Sequence, residues 1–239
     1  DKFFELNTST GLPLRSIMAT PIVVPGSMPT MVYCRFACEY AIYLFLSSAG
    51  IKIYRQREEL GNVRGEELYM KIGIIADTHD NLDAISKAVE IFNHEGIDLL
   101  IHAGDFVAPF TEQPFRKLQA PLVGIFGNND GDKLLLKEKY REKGVGELYE
   151  DPHELELATK KLIVTHRPKI VSALAASGSY DVLIYGHTHQ AEIEHTSGKS
   201  GTHGQLWIIN PGECCGYLTG RKTVALLDLE KDQARIEEL

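Results

Sequence analysis

At 239 residues, 44% hydrophobic and 24% charged, the chain has the composition of an ordinary soluble globular protein, with length for one or two domains and a full core. Its formal net charge of -8 argues against a surface that coats nucleic acid, because non-specific affinity for DNA or RNA rests on Lys and Arg neutralising phosphates. The cysteines, Cys34 and Cys38 at helical spacing and the adjacent Cys214 and Cys215, form neither a disulfide framework nor a CxxC zinc site, which favours a reducing cytoplasm.

Residues 1–69 carry no ordered alternation of elements. Pro13, Pro21, Pro25 and Pro29 punctuate the start, and the apolar run from Tyr33 to Ile53 is interrupted by Arg35, Glu39 and Lys52. Its uncharged part, Tyr40 to Ile51, is too short for a membrane-spanning helix. A signal peptide fits poorly, since the chain opens on acidic Asp1 and the apolar run starts late. Met70, followed at once by a strand-like run, reads as a natural initiator. Residues 1–69 are therefore expected to be an N-terminal extension of undefined role, and residues 70–239 one α/β domain.

Beyond Met70, short apolar runs end again and again in Asp, His or Asn. IGIIADTH comes first and predicts a buried strand. A helix is predicted over Leu82 to His94, where Leu82, Ile85, Ala88, Val89 and Phe92 recur at helical spacing. LLIHAGD and LVGIFGNND predict two further strands, followed by a helix from Gly131 to Glu142 that Asp130 can cap. LIVTH, VLIYGHTH and LWIINPG complete the set. In open α/β sheets the ligand site lies beyond the carboxyl ends of the strands. Asp77, His79, Asp105, Asn128, His166, His187 and His189 are therefore expected to meet. Solitary histidines are ordinarily solvated or core residues, and His94, His153, His195 and His203 are assigned that role. His102 faces inward or outward beside Asp105 and, if inward, orients a metal ligand. Cys214 and Cys215 are expected to be small buried hydrophobes.

The residue types define the chemistry. Carboxylate, amide oxygen and imidazole without thiolate form a hard-to-borderline ligand set, suited to Mn, Fe, Zn, Co or Ni. Seven protein ligands are too many for one catalytic ion that must keep a position open, and suit two ions sharing a bridging carboxylate. Only two of the seven are anionic, so the loaded centre stays positive and attracts phosphate esters. Such a centre generates hydroxide at neutral pH and steadies the oxygens of an in-line displacement.

Asp77-Thr78-His79, Gly104-Asp105, Gly127-Asn128-Asn129-Asp130, Thr165-His166 and Gly186-His187-Thr188-His189 match, in order, the five blocks of the calcineurin-like metallophosphoesterases. The chain from Met70 to its end resembles the small microbial phosphodiesterase branch of that superfamily. The resemblance implies a metallophosphoesterase-type α/β sandwich, a mixed β-sheet core flanked by helices. It implies that Asp77, His79 and His189 hold one metal, that Asn128, His166 and His187 hold the other, and that Asp105 bridges them. Two departures stand out. Many members follow the ligand Asn with a His that, together with the next Asp, protonates the leaving group; here that position is Asn129, and an amide cannot act as a general acid near neutral pH. Asp130, Arg167 or a metal-bound water is then the alternative proton source. Many members also continue the fourth block with Gly-His, where this chain has Arg167-Pro168, and Arg167 has the planar fork that suits phosphate.

The expected function is that of a two-metal phosphodiesterase in which a metal-bound hydroxide attacks phosphorus in line, with Mn2+ the first choice among the ions. The expected partner is a small phosphate ester, with neither nucleic acid nor a membrane, and a homo-oligomer is left open. The rivals are a protein-interaction scaffold of the same fold, like the retromer small subunit with its incomplete ligand set, and a nuclease of the same superfamily, which needs a basic groove or capping domain.

Overall fold

All six of those apolar runs are strands in a computed structural model of the chain, which describes residues 30–35, 40–47, 50–57, 70–157, 159–197, 201–202 and 204–239. The chain divides into two units, Asp1–Glu66 and Glu67–Leu239. In the first, β1 (Thr30–Arg35), β2 (Tyr40–Ser47) and β3 (Gly50–Arg57) form an antiparallel meander. Sequence reasoning assigned no element there. The run is dense in Tyr, Ile, Leu and Phe, which fit a pleated surface, and Ser47 pairs with Gly50 as a short hairpin requires. Cys34 lies in β1, so its expected helical relation to Cys38 does not hold. Cys38, Pro13, Pro21, Pro25, Pro29 and His203 lie outside the described residues.

The second unit holds two mixed sheets flanked by helices. One has the order β14 (Gln233–Glu238), β13 (Thr223–Asp228), β4 (Lys71–Ile75), β5 (Leu99–His102), β6 (Leu122–Ile125), β7 (Gly146–Tyr149), parallel from β4 to β7 and antiparallel at β13 and β14. In the other, β8 (His153–Leu157), β9 (Lys160–Thr165), β10 (Val182–Tyr185), β12 (Gln205–Pro211) and β11 (Ala191–Ser197) follow one another, with a parallel centre at β9, β10 and β12. β4, β5, β6 and β10 are buried along their length or nearly so, which is why their sequences run apolar instead of alternating.

Among the described residues four α-helices flank the sheets: α1 (Leu82–Glu95), α2 (Glu112–Phe115), α3 (Lys133–Glu142) and α4 (Pro168–Ala176). The Asn81 side chain caps α1 by accepting from Ala84 N at 3.1 Å, and Gly96 ends it in the left-handed conformation. Ala84, Ile85, Ala88, Val89 and Phe92 are its buried face, packed into a cluster with Ile75, Leu100 and Leu122. A smaller cluster joins Ile163, Leu183, Tyr185 and Leu206 to Val171 and Leu174 of α4. The cap of α3 differs from expectation: Asp132, not Asp130, accepts from Leu135 N, at 3.0 Å, and the helix starts at Lys133. No helix among the described residues is long and apolar enough to cross a membrane.

Candidate metal centre

Each of the five expected ligand blocks lies just beyond the carboxyl end of a parallel strand, so β4, β5 and β6 of one sheet and β9 and β10 of the other deliver their polar groups to one place. Backbone bonds tie the loops together: Asp77 N donates to Gly104 O, and Thr78 N and His79 N donate to Asp105 O, all at 3.0–3.1 Å. From the other sheet, His187 N donates to Asp77 Oδ2 at 3.0 Å. Asp77, His79, Asp105, His187 and His189 all have positive φ, 39–72°, a region that side-chain-bearing residues enter at a cost. Five of the proposed ligands share this conformation. Close approach also dictates two glycines. A Cβ on Gly127 would lie 2.2 Å from Asp105 Oδ1, and one on Gly104 would lie 2.6 Å from His166 Nδ1.

The side chains converge as two histidine groups about one carboxylate. Asp105 Oδ2 lies 3.6 Å from His79 Nε2 and 3.2 Å from His166 Nε2. Asp77 Oδ1 lies 3.8 Å from His79 Nε2 and 3.4 Å from His189 Nε2. His79 stacks on His189 with ring centroids 5.2 Å apart, and His166 meets His187 edge-on at 5.1 Å. Asp77 Oδ1, His79 Nε2 and His166 Nε2 are buried without a hydrogen-bond partner. Unpaired buried polar atoms are costly, and three of them facing the same space fit a divalent cation.

The electrostatics agree. Burial works against ionisation of Asp105, yet His166 and the amides of Asn129 hold its carboxyl well below the usual range. Burial likewise lowers the pKa of His166, but Asp105 outweighs it and raises it to about 9. His79 is raised chiefly by Asp77. A field that stabilises imidazolium suits a cation in the same place.

Supporting groups fix these orientations. His166 Nδ1 donates to Ala103 O at 2.8 Å, leaving Nε2 for the centre. His102 touches no ligand side chain. Gly104 N donates to its Nδ1 at 3.2 Å, and its Nε2 lies 3.2 Å from Thr78 Oγ1, which in turn donates to Asp105 O at 3.2 Å. It braces two ligand loops through their backbone. The Asp130 carboxylate accepts from Gly127 N at 2.6 Å, Val107 N at 2.7 Å and Asp105 N at 3.3 Å. Asn128 and His187 line a groove of about 550 Å³ with His166, Arg167, Phe126 and Lys133. Arg167 is 66% exposed, and its Nε lies 3.0 Å from Asp151 Oδ2. Of the solitary histidines, His153 stacks on Tyr149 and His195 on Trp207, and His94 sits in the last turn of α1.

Sequence reasoning missed Glu213 and Asp151. Glu213 is fully buried: His189 Nδ1 donates to its Oε2 at 2.7 Å, and Leu218 N and Thr219 Oγ1 donate to its carboxylate as well. Asp151 Oδ1 accepts from Thr165 Oγ1 at 2.8 Å and from His166 N at 3.1 Å. A carboxylate beside a buried run, as in NPGE, was the available signal for Glu213.

Residues 70–232 match the calcineurin-like phosphoesterase superfamily domain. The chain belongs to this superfamily. Among its relatives, phosphodiesterase MJ0936 of Methanocaldococcus jannaschii is 42% identical over 168 residues, 70% of this chain and 97% of the relative. A solved structure of an archaeal phosphodiesterase matches with a TM-score of 0.65 at 42% identity, over 71% of this chain and all of that one. YfcE, a phosphoesterase from E. coli, shares the fold with a TM-score of 0.50 at 18% identity, over 71% and 98% of the two chains. The α/β sandwich expected from the five blocks is the fold found. Membership in this superfamily implies divalent metal ions, and the unpartnered Asp and His atoms are groups able to hold them.

Replacing Glu213 tests its support of His189. Glu213→Gln is expected to weaken metal binding by about 10–100-fold in a metal titration. Burial opposes ionisation of Glu213, but His189, Thr219 and Leu218 lower its pKa from 4.5 to about 2. A depressed carboxyl pKa contributes stability that is full above the unfolded value and is lost as pH falls through the folded one. The thermal midpoint should therefore drop less in Glu213→Gln than in wild type as pH is lowered from about 4.5 to about 2.

Proposed function

We propose that the chain is a phosphodiesterase with two divalent ions, one held by Asp77, His79 and His189, the other by Asn128, His166 and His187, with Asp105 between them. The observation that carries this is the position of Asp105 Oδ2, 3.6 Å from the imidazole of one set and 3.2 Å from that of the other. Preference for diesters is supported by the 42% identity to a phosphodiesterase. Bound ions supply a hydroxide nucleophile at neutral pH and offset the charge that develops at phosphorus. The chain's own residues do the rest. Asp130 positions the Asp105 and Gly127 loops through their N–H groups. Arg167, tethered by Asp151, offers charge to a phosphate oxygen from the groove wall beside His166. Phe126 and Ile170 give the lining of the same groove apolar surface for an ester arm, and Lys133 and Lys169 add positive charge to it. Manganese remains the first choice of ion and the cytoplasm the proposed compartment.

The scaffold reading loses weight because all seven ligand positions are filled. The nuclease reading loses weight because the chain is acidic overall. Metal analysis of the purified protein, combined with hydrolysis of matched mono- and diesters, tests the proposal. Two ions per chain and faster diester hydrolysis are expected. One ion or none contradicts the two-metal centre, and a monoester preference contradicts the substrate class.

Residues 70–239 are proposed as the catalytic unit, because every ligand and both sheet-forming core clusters belong to them. A chain beginning at Met70 should fold and keep near-full activity in the same assay. Insoluble or inactive protein would give residues 1–69 a part in the core or the assembly.

A further inference from the structure

We propose that Cys215 is an additional ligand at the metal position formed by Asp77, His79 and His189, and that its thiolate moves that one position from the manganese chosen for the seven oxygen and nitrogen ligands to cobalt, zinc or iron. The proposal rests on the two-metal reading above. One ring nitrogen each from His79 and His189 and the Cys215 sulfur all lie within 4.8 Å of one another. Nitrogen and sulfur donors in neighbouring positions on one ion are roughly 3–3.5 Å apart, from bond lengths of about 2.0 and 2.3 Å. Asp77, beside the same two rings, is fully buried, and its unpartnered Oδ1 lies 3.4 Å from His189 Nε2 and 3.8 Å from His79 Nε2.

The chain holds this sulfur against the ligand loop. Cys214 N and Cys215 N donate to Ala76 O and Asp77 O, each at 3.1 Å, and Asn81 Nδ2 donates to Cys215 O at 2.9 Å. Glu213 Oε2 accepts from both His189 Nδ1, at 2.7 Å, and Cys215 Sγ, at 3.2 Å. Glu213 thus orients the His189 imidazole as supporting carboxylates do around metal ligands, and it holds the Cys215 thiol beside that ring until ligation releases the S–H proton. Cys214 is different: it belongs to the main hydrophobic cluster. On ligation the metal–sulfur bond forms, the S–H bond breaks and the proton passes to solvent, with no oxidant or reductant needed. Thiolate favours softer ions than carboxylate and amide oxygen do, so the two positions of the centre differ in the ion they select.

Titration of the metal-free full-length protein with Co2+ tests this without reference to turnover. Two cobalt ions per chain are expected, with a thiolate-to-cobalt charge-transfer band in the near ultraviolet. The band should survive Cys214→Ser and vanish in Cys215→Ser. Two bound ions without the band, or a band that persists in Cys215→Ser, would overturn the ligand role of Cys215 and leave the two-metal centre standing. Failure to bind cobalt at all would overturn both. Should Cys215→Ser not fold, cadmium NMR of Cys214→Ser decides: a resonance moved to the thiolate range supports the proposal, and only nitrogen- and oxygen-type resonances contradict it.

Discussion

Asp105→Asn should abolish hydrolysis and lower the number of bound metal ions. Asp105 Oδ2 lies 3.6 Å from His79 Nε2 and 3.2 Å from His166 Nε2, so in the proposed two-metal centre it would contribute negative charge to both cations at once. An amide of the same shape offers one oxygen, no charge, and an N–H2 face that repels a cation. Removing one preorganised electrostatic stabiliser from an active site typically costs about 10²–10³-fold in turnover, and loss of Asp105 compromises two. The rate should therefore fall beyond the upper end of that range, and elemental analysis should find fewer than two ions per chain. Replacement of a group serving a single ion, such as His189, is expected to be milder in stoichiometry. Near-normal turnover or two retained ions in Asp105→Asn would contradict the bridging assignment.

The arrangement that makes Asp105 central was only partly legible in the sequence. Strands ending in Asp, His or Asn could be read because both faces of β4, β5, β6 and β10 are buried, which leaves continuous apolar runs followed by abrupt polar residues. α1 was legible for the complementary reason, a helical period of buried side chains with a polar outer face. Supporting groups left almost no trace. Glu213 acts through a long-range hydrogen bond to His189 and Asp151 through bonds to Thr165 and His166, and no local period records a contact between segments far apart in the chain. Asp130 shows the limit most clearly. A position ahead of a helix suggests a cap, but Asp132 was equally available and closer, and three N–H groups of the metal loops claimed Asp130. β1 to β3 were missed because the run from Tyr33 to Ile53 was weighed against a membrane span, while its Tyr, Ile and Phe content favours strands.

Hydrolysis should depend steeply on the acidity of the leaving group. Where relatives often carry a His able to protonate the departing oxygen, this chain has Asn129, and that side chain is already committed: its Nδ2 donates to Asp105 Oδ2 and its backbone N to Asp105 Oδ1, both at 2.8 Å. Asn129 thus braces the Asp105 carboxylate and has no acidic proton to give. Asp130 is no substitute. Burial raises its pKa, but its two oxygens are occupied by backbone N–H donors, and protonation would sacrifice those bonds. Arg167 does not deprotonate in a protein. An alkoxide must therefore leave with most of its negative charge, whereas a nitrophenolate leaves readily. General acid catalysis ordinarily contributes about 10²–10⁴-fold, so aryl diesters should outrun alkyl diesters by a margin of that order beyond what an enzyme with the acid in place would show. Asn129→His should narrow the gap by helping alkyl substrates more than aryl ones, with its loss of the Asp105 bond affecting both alike. The measurement is kcat across a homologous diester series, under conditions where chemistry is rate-limiting. A flat dependence on leaving-group pKa would mean that the proton comes from water at the metal centre, and the absence of a side-chain acid would then carry no penalty.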